Sequence, residues 1–196
     1  MYRNCKSQEK VMVILISGAS CTGKTLLSQK ILENHHISYY SIDHIKMGLY
    51  RADINCGFTP LDADEHIGEK LWPILKGIIM TAIENKQDLV IEGAYIFPEY
   101  LKDLSQDYCD HILPVFICFS ESYIQANYNS GIIKYRHIAE SRDYEEDRPQ
   151  EVFIHDHTNL MKKCEAAEIS CFMIQTHYEE EMAKVYDFIS DALESA

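Results

Sequence analysis

The chain has 196 residues, 46% of them hydrophobic and 25% charged, a balance that is ordinary for a globular protein with one sizeable core. Its 18 basic against 31 acidic residues leave a formal net charge of −13, which argues against broad electrostatic attraction to nucleic acid or to an anionic membrane. Seven cysteines, at 5, 21, 56, 109, 118, 164 and 171, form no C-x-x-C pair and are odd in number, so a disulfide framework is disfavoured and a reduced, cytoplasmic setting is expected.

Residues 1–10 are polar and read as loose. The apolar run that follows predicts a strand over about 11–17; it is too short for a secretory signal or a bilayer span. It runs into Gly18-Ala19-Ser20-Cys21-Thr22-Gly23-Lys24-Thr25 and then into helical spacing over 24–35. Strand, glycine-rich loop and helix are the context in which G-x-x-x-x-G-K-[ST] binds phosphate. The loop N–H groups form a concave nest at the front of a helix dipole, Lys24 reaches the β- and γ-phosphates, and Thr25 offers a hydroxyl to Mg²⁺. An accidental match to the four fixed positions occurs in about one chain in a hundred at this length, before the flanking strand and helix are required. Cys21 sits near a helix N-terminus, where a thiolate is favoured, although a small side chain that merely fits accounts for it equally.

The run 37–42 predicts a second strand ending at Asp43. At the carboxyl edge of a parallel sheet, that carboxylate reaches the ligand crevice and can orient an acceptor hydroxyl, take its proton or hold water around Mg²⁺; it is also good N-cap chemistry for 44–48. Arg51 opens an irregular stretch over 51–60, either as an anchor for an anionic acceptor or as a plain surface residue. A long helix is expected over about 64–86, with Ile67, Leu71, Ile74, Leu75, Ile78, Ile79, Ala82 and Ile83 as its buried stripe. Pro73 should kink it or divide it in two, and Trp72 is assigned to packing. The third strand, 88–93, delivers Glu92 to the same edge as Asp43, with Gly93 behind it.

After a short helix begun by Pro98, a fourth strand is read in 111–119, regular only from Val115 because Pro114 is awkward inside a sheet. A helix over 120–128 leads to residues 134–149, rich in charge and suited to a movable cover. From it Arg136, Arg142 and Arg148 could offset charge on a transferring phosphate, or could simply pair with neighbouring acids. His155-Asp156-His157, taken as extended, is a poor zinc set, because neighbouring side chains diverge and no remote third ligand is evident. A helix over about 158–168, a strand over 169–174 and a final helix over 178–193 complete the alternation, and the loop 175–177 should lie beside the phosphate loop.

Five strands alternating with helices argue for a parallel α/β sheet covered on both faces. With GASCTGKT, YYSID, LVIEG and RHIAESRDYEEDRP in this order, the chain resembles the small P-loop kinases of the nucleoside-monophosphate kinase superfamily, including adenylate-kinase-like, shikimate/gluconate-kinase-like and zeta-toxin or chloramphenicol-phosphotransferase-like members. The resemblance implies a three-layer fold with a five-stranded sheet of order 2-3-1-4-5, as a single domain over 1–196 with an acceptor-side excursion at about 44–66 and a lid at about 130–157. It also implies ATP and Mg²⁺. The chain departs from adenylate kinases in having Glu92-Gly93-Ala94-Tyr95 after the third strand, and from shikimate kinases in having one acid in Ile42-Asp43-His44, so the acceptor stays open. The expected activity is ATP-dependent phosphotransfer to a small metabolite or nucleotide by a monomer or homodimer, with no nucleic-acid or membrane partner. Residues 18–25 would hold ATP; Lys24, Asp43, Glu92, Arg142 and Arg148 would act in transfer; Asp43, Arg51 and Glu92 would contact the acceptor. The competing expectation is a P-loop ATPase or nucleotide-binding regulator that couples hydrolysis to conformational change.

Overall fold

The computed structural model describes residues 11–136, 138–139 and 148–195. Strand β1, Val13–Gly18, is buried along its whole length and pairs in parallel with β3, Leu89–Gly93, on one side and β4, Ile112–Phe119, on the other. Strand β2, Tyr39–Ser41, extends the sheet beyond β3, and β5, Cys171–Ile174, extends it beyond β4, so the order is β2-β3-β1-β4-β5 as expected. A strand with both faces covered must be apolar on both, and β1 is: Val13 and Leu15 enter one core, Ile14 and Ile16 the other.

The first core receives helix α2, Ile42–Ala52, and helix α3, Asp64–Glu84, through Ile42, Ile67, Leu71, Leu75 and Ile79. The second receives helix α1, Lys24–His35, through Leu27 and Ile31, and helix α7, Tyr178–Glu194, through Val185 and Ile189. A 3₁₀ helix, Pro98–Asp103, and the short α4, Gln106–Cys109, follow β3. Helix α5, Glu121–Asn127, runs into a π-helical turn, Tyr128–Ile133, and α6, Gln150–Ala166, returns the chain to β5.

Three expectations change. Helix α3 continues through Pro73 as one element, and Ile74 faces out from it. Trp72 packs on Tyr100 and donates its indole N–H to Asp103 Oδ2 at 2.9 Å. Strand β4 starts at Ile112 rather than Val115, because β5 pairs only from Phe116 onward and leaves the outer edge beside Pro114 without a strand to bond. Helix α6 starts at Gln150, so His155, Asp156 and His157 are helical; three successive positions fan out over the helix instead of alternating as on a strand.

Candidate active site

The loop after β1 is held from several sides. Ser17 Oγ donates to the Ile96 carbonyl at 2.7 Å, fixing the end of β1 to the segment beyond β3. Gly23 has φ +86°, a left-handed turn that favours glycine, and a Cβ there would have to displace the Tyr178 hydroxyl, 1.9 Å away. Lys24 begins α1 yet is buried, with Nζ donating to the Ala19 carbonyl at 2.8 Å and to Thr22 Oγ1 at 3.4 Å. Burial pushes the Lys24 pKa down, against the opposing pull of Glu92 and Asp43. The loop thus keeps a desolvated ammonium among its own oxygens, the arrangement that a polyphosphate would complete electrostatically.

Beside it, Thr25 Oγ1 donates to Glu92 Oε1 at 3.3 Å. Glu92 is 2% exposed at the end of β3. Burial raises its pKa, and the charge of Asp43 adds to this, while hydrogen bonds from Ser41 and Thr25 and the charge of Lys24 act the other way. Ser41 is the N-cap position of α2 but makes no side-chain capping bond; its hydroxyl serves Glu92 instead. A hydroxyl and a carboxylate this close are an all-oxygen pair of the kind a hard divalent cation takes.

Helix α2 starts immediately after β2, which puts Asp43 in its first turn, where the helix dipole favours a carboxylate. Asp43 is therefore inside the helix and not its cap. One turn on, Lys46 Nζ lies 2.6 Å from Asp43 Oδ1 and 2.5 Å from the Tyr95 hydroxyl. Burial pulls the Lys46 pKa down, but its bonds to Asp43 and Tyr95 outweigh it and the net shift is upward. The ion pair holds Asp43 in place.

Asp64, the first residue of α3, opens on the same space. Burial raises its pKa, helped by the charges of Asp156 and Glu65 and opposed by Lys46 and Arg148. Arg148 stands just before α6, its guanidinium 4.7 Å from the Phe153 ring centroid and 3.9 Å from Asp156 Oδ2. Lys24, Thr25, Asp43, Glu92, Arg136 and Arg148 all line one cleft of about 1090 Å³. Thr176, His177 and Tyr178 line it as well, beside the phosphate loop.

Arg51 does not join them. It is exposed in the last turn of α2, eight residues beyond Asp43 and about 12 Å further along the helix axis. Arg142 lies outside the described residues. Lys46, Tyr95 and Asp64 join the cleft without a sequence motif that marks them. The spacing of Lys46 from Asp43 signals a shared helix face once the helix is begun at Ile42.

A parallel 2-3-1-4-5 sheet with a glycine-rich loop between its central strand and first helix defines the class: a P-loop protein of the kinase fold. A family model described as Zeta toxin matches residues 1–119, and the chain belongs to that family. Among solved structures it is similar to a gluconokinase from Sinorhizobium meliloti 1021, at 14% identity over 96% of this chain and 97% of that one, with a TM-score of 0.58. It is also similar to shikimate kinases from Bacteroides thetaiotaomicron (9% identity, 93% of this chain and 98% of that one, TM-score 0.55) and Aquifex aeolicus vf5 (18%, 93% and 96%, TM-score 0.54). At such identities the likeness is one of fold. No curated protein matches the chain. Among the described residues no helix is long and apolar enough to cross a membrane.

Proposed function

We propose that the protein is an ATP-dependent phosphotransferase for a small hydroxyl- or phosphate-bearing metabolite, working as one domain with its acceptor side near 44–66 and a lid near 130–157. The observation that carries this reading is the convergence of Lys24, Thr25, Asp43 and Glu92 on one cleft, a phosphate-binding loop facing a positioned carboxylate. Mg²⁺-ATP would supply the phosphoryl group and the divalent charge. The residues present suit both: loop N–H groups and Lys24 for the phosphates, and the oxygens of Thr25 and Glu92 for the cation and its water.

In this reading Lys24 turns from the Ala19 carbonyl to phosphate oxygens, and Thr25 and Glu92 fix the cation. Asp43 receives the acceptor hydroxyl and its proton. With Lys46 at 2.6 Å it serves foremost to orient that hydroxyl, which suits a reaction whose loose transition state asks for alignment more than for early deprotonation. Arg148, with Arg142 on the lid, offsets charge as the cleft closes and water leaves. Arg51 has no role here. A panel of small hydroxyl and phosphate compounds, assayed for ADP formation with Mg²⁺-ATP, tests the reading: acceptor-dependent ADP is expected, and equal ADP release with and without every acceptor would point to an ATPase.

A further inference from the structure

Arg148 belongs to no helix or strand. It stands two residues before α6, and Pro149 after it is the N-cap residue of that helix. A residue before proline is confined to extended backbone, and the peptide that joins the two has a carbonyl but no N–H. Helix α6 leaves that carbonyl aside, because the Val152 N–H bonds the Pro149 carbonyl instead, at 3.0 Å. The Arg148 carbonyl accepts from the Tyr128 hydroxyl, across 20 residues of chain.

Tyr128 is brought there by a change of helix type. Helix α5 ends at Asn127, whose side-chain amide donates to the Tyr123 carbonyl at 3.0 Å, and Tyr128 opens the π-helical turn. Such a turn fits one more residue than an α-helical turn and so re-aims the side chains on it; it recurs at functional sites. Here Ile132 is buried in the second core, and Asn127, Gly131 and Ile132 line the cleft, while Tyr128 is turned to α6. Its ring meets Phe153 edge-on, with centroids 5.3 Å apart and planes at 77°. Phe153 is 1% exposed, and the guanidinium of Arg148 lies over the same ring. Tyr128 thus reaches Arg148 twice, at the main chain by its hydroxyl and at the side chain through the ring that the two share.

We propose that Tyr128 is a positioning residue for Arg148: its hydroxyl fixes the arginine's backbone and its ring packs on the phenyl ring over which the guanidinium lies, so that Arg148 is ordered at the cleft before the transferring phosphate arrives. The inference rests on the reading of Arg148 as a group that offsets charge on that phosphate. A long arginine side chain gives up much rotamer freedom when it binds, and one already held has less to give up. Tyr128 then acts on ATP through the γ-phosphate, which ADP lacks, and it does so through Arg148.

The test uses the full chain with Mg²⁺ and either ATP or ADP, with Kd measured by calorimetry and the melting temperature measured without nucleotide. Tyr128→Phe removes the hydroxyl and keeps the ring against Phe153, and with it the packing. It should weaken ATP binding about fivefold, the loss of one hydrogen bond, and leave ADP binding within about twofold. Arg148→Met should weaken ATP binding about tenfold or more, and in that background Tyr128→Phe should add less than about twofold. A cost of about fivefold in both backgrounds, equal losses for ATP and ADP, or an ATP Kd left unchanged, with or without a lower melting temperature, each overturns the inference and leaves the nucleotide reading standing. An Arg148→Met variant with unchanged ATP affinity overturns the role given to Arg148 and this inference with it. A wild-type chain that binds neither nucleotide overturns the nucleotide reading as a whole.

Discussion

On the proposed reading the donor wall of the cleft is one short stretch of sequence, Ser20 and Cys21 with Gly23, Lys24 and Thr25, and its backbone N–H groups would hold the phosphates. On the same reading the acceptor wall takes the side chains of Asp43 and Lys46 from α2, Asp64 from α3, Tyr95 from the segment after β3 and Arg148 from the approach to α6. A nest of N–H groups is fixed by backbone geometry and suits any polyphosphate. A wall of side chains held by their own ion pairs can be specific, and it can differ between proteins that share a donor wall.

The largest effect should come from the donor wall. Lys24→Met should lower kcat/KM for transfer about a thousandfold and weaken ATP binding as well, measured by steady-state ADP release and calorimetry. An intact ATP affinity in that variant would break the comparison, because the donor wall would then not be the nucleotide's.

On the acceptor wall the first effect is on stability. Lys46→Met removes a partner shared by Asp43 and Tyr95 and should cost about 2 kcal/mol in urea denaturation. The Asp43 side chain is 32% exposed, so its charge can rehydrate and the loss stays below that of a fully buried pair.

Glu92, where the two walls meet, should show the smallest effect and the opposite sign. Its folded pKa is raised, chiefly by burial, so the native state binds this proton more tightly than the unfolded chain does. Stability from this group therefore falls as pH rises from the ordinary glutamate range through the raised folded value. Glu92→Gln should be more stable than wild type by about 1 kcal/mol at about pH 8, match it at about pH 4, and lose transfer. Equal stability of the two proteins at both pH values would show that Thr25, Ser41 and Lys24 already compensate the buried charge.

The same contrast explains what could be read from the sequence. The loop, its strand and its helix are contiguous, so pattern and spacing sufficed, and the short apolar runs located β2, β3 and β5. The strand order came from resemblance, since adjacent strands such as β1 and β4 are separated by about a hundred residues of chain. Lys46 and Tyr95 escaped notice because their contact spans 49 residues and neither motif points to the other. The start of helix α6 is hard to read from sequence because its first two turns, Gln150 to His157, are mostly polar; Phe153 and His157 are buried there and Ile154 packs partly against the core. His157 lies in these turns, and its partner, the Phe119 amide of β4, is 38 residues away, which no local pattern signals.

That the two walls form one transfer site is tested most directly by Asp43→Asn, with ATP Kd and acceptor-dependent ADP formation measured on the same preparation. The expected result is a fall in transfer of about a hundredfold or more with ATP affinity kept within about twofold. Equal losses in binding and in transfer would contradict it, because Asp43 would then belong to the nucleotide's own site.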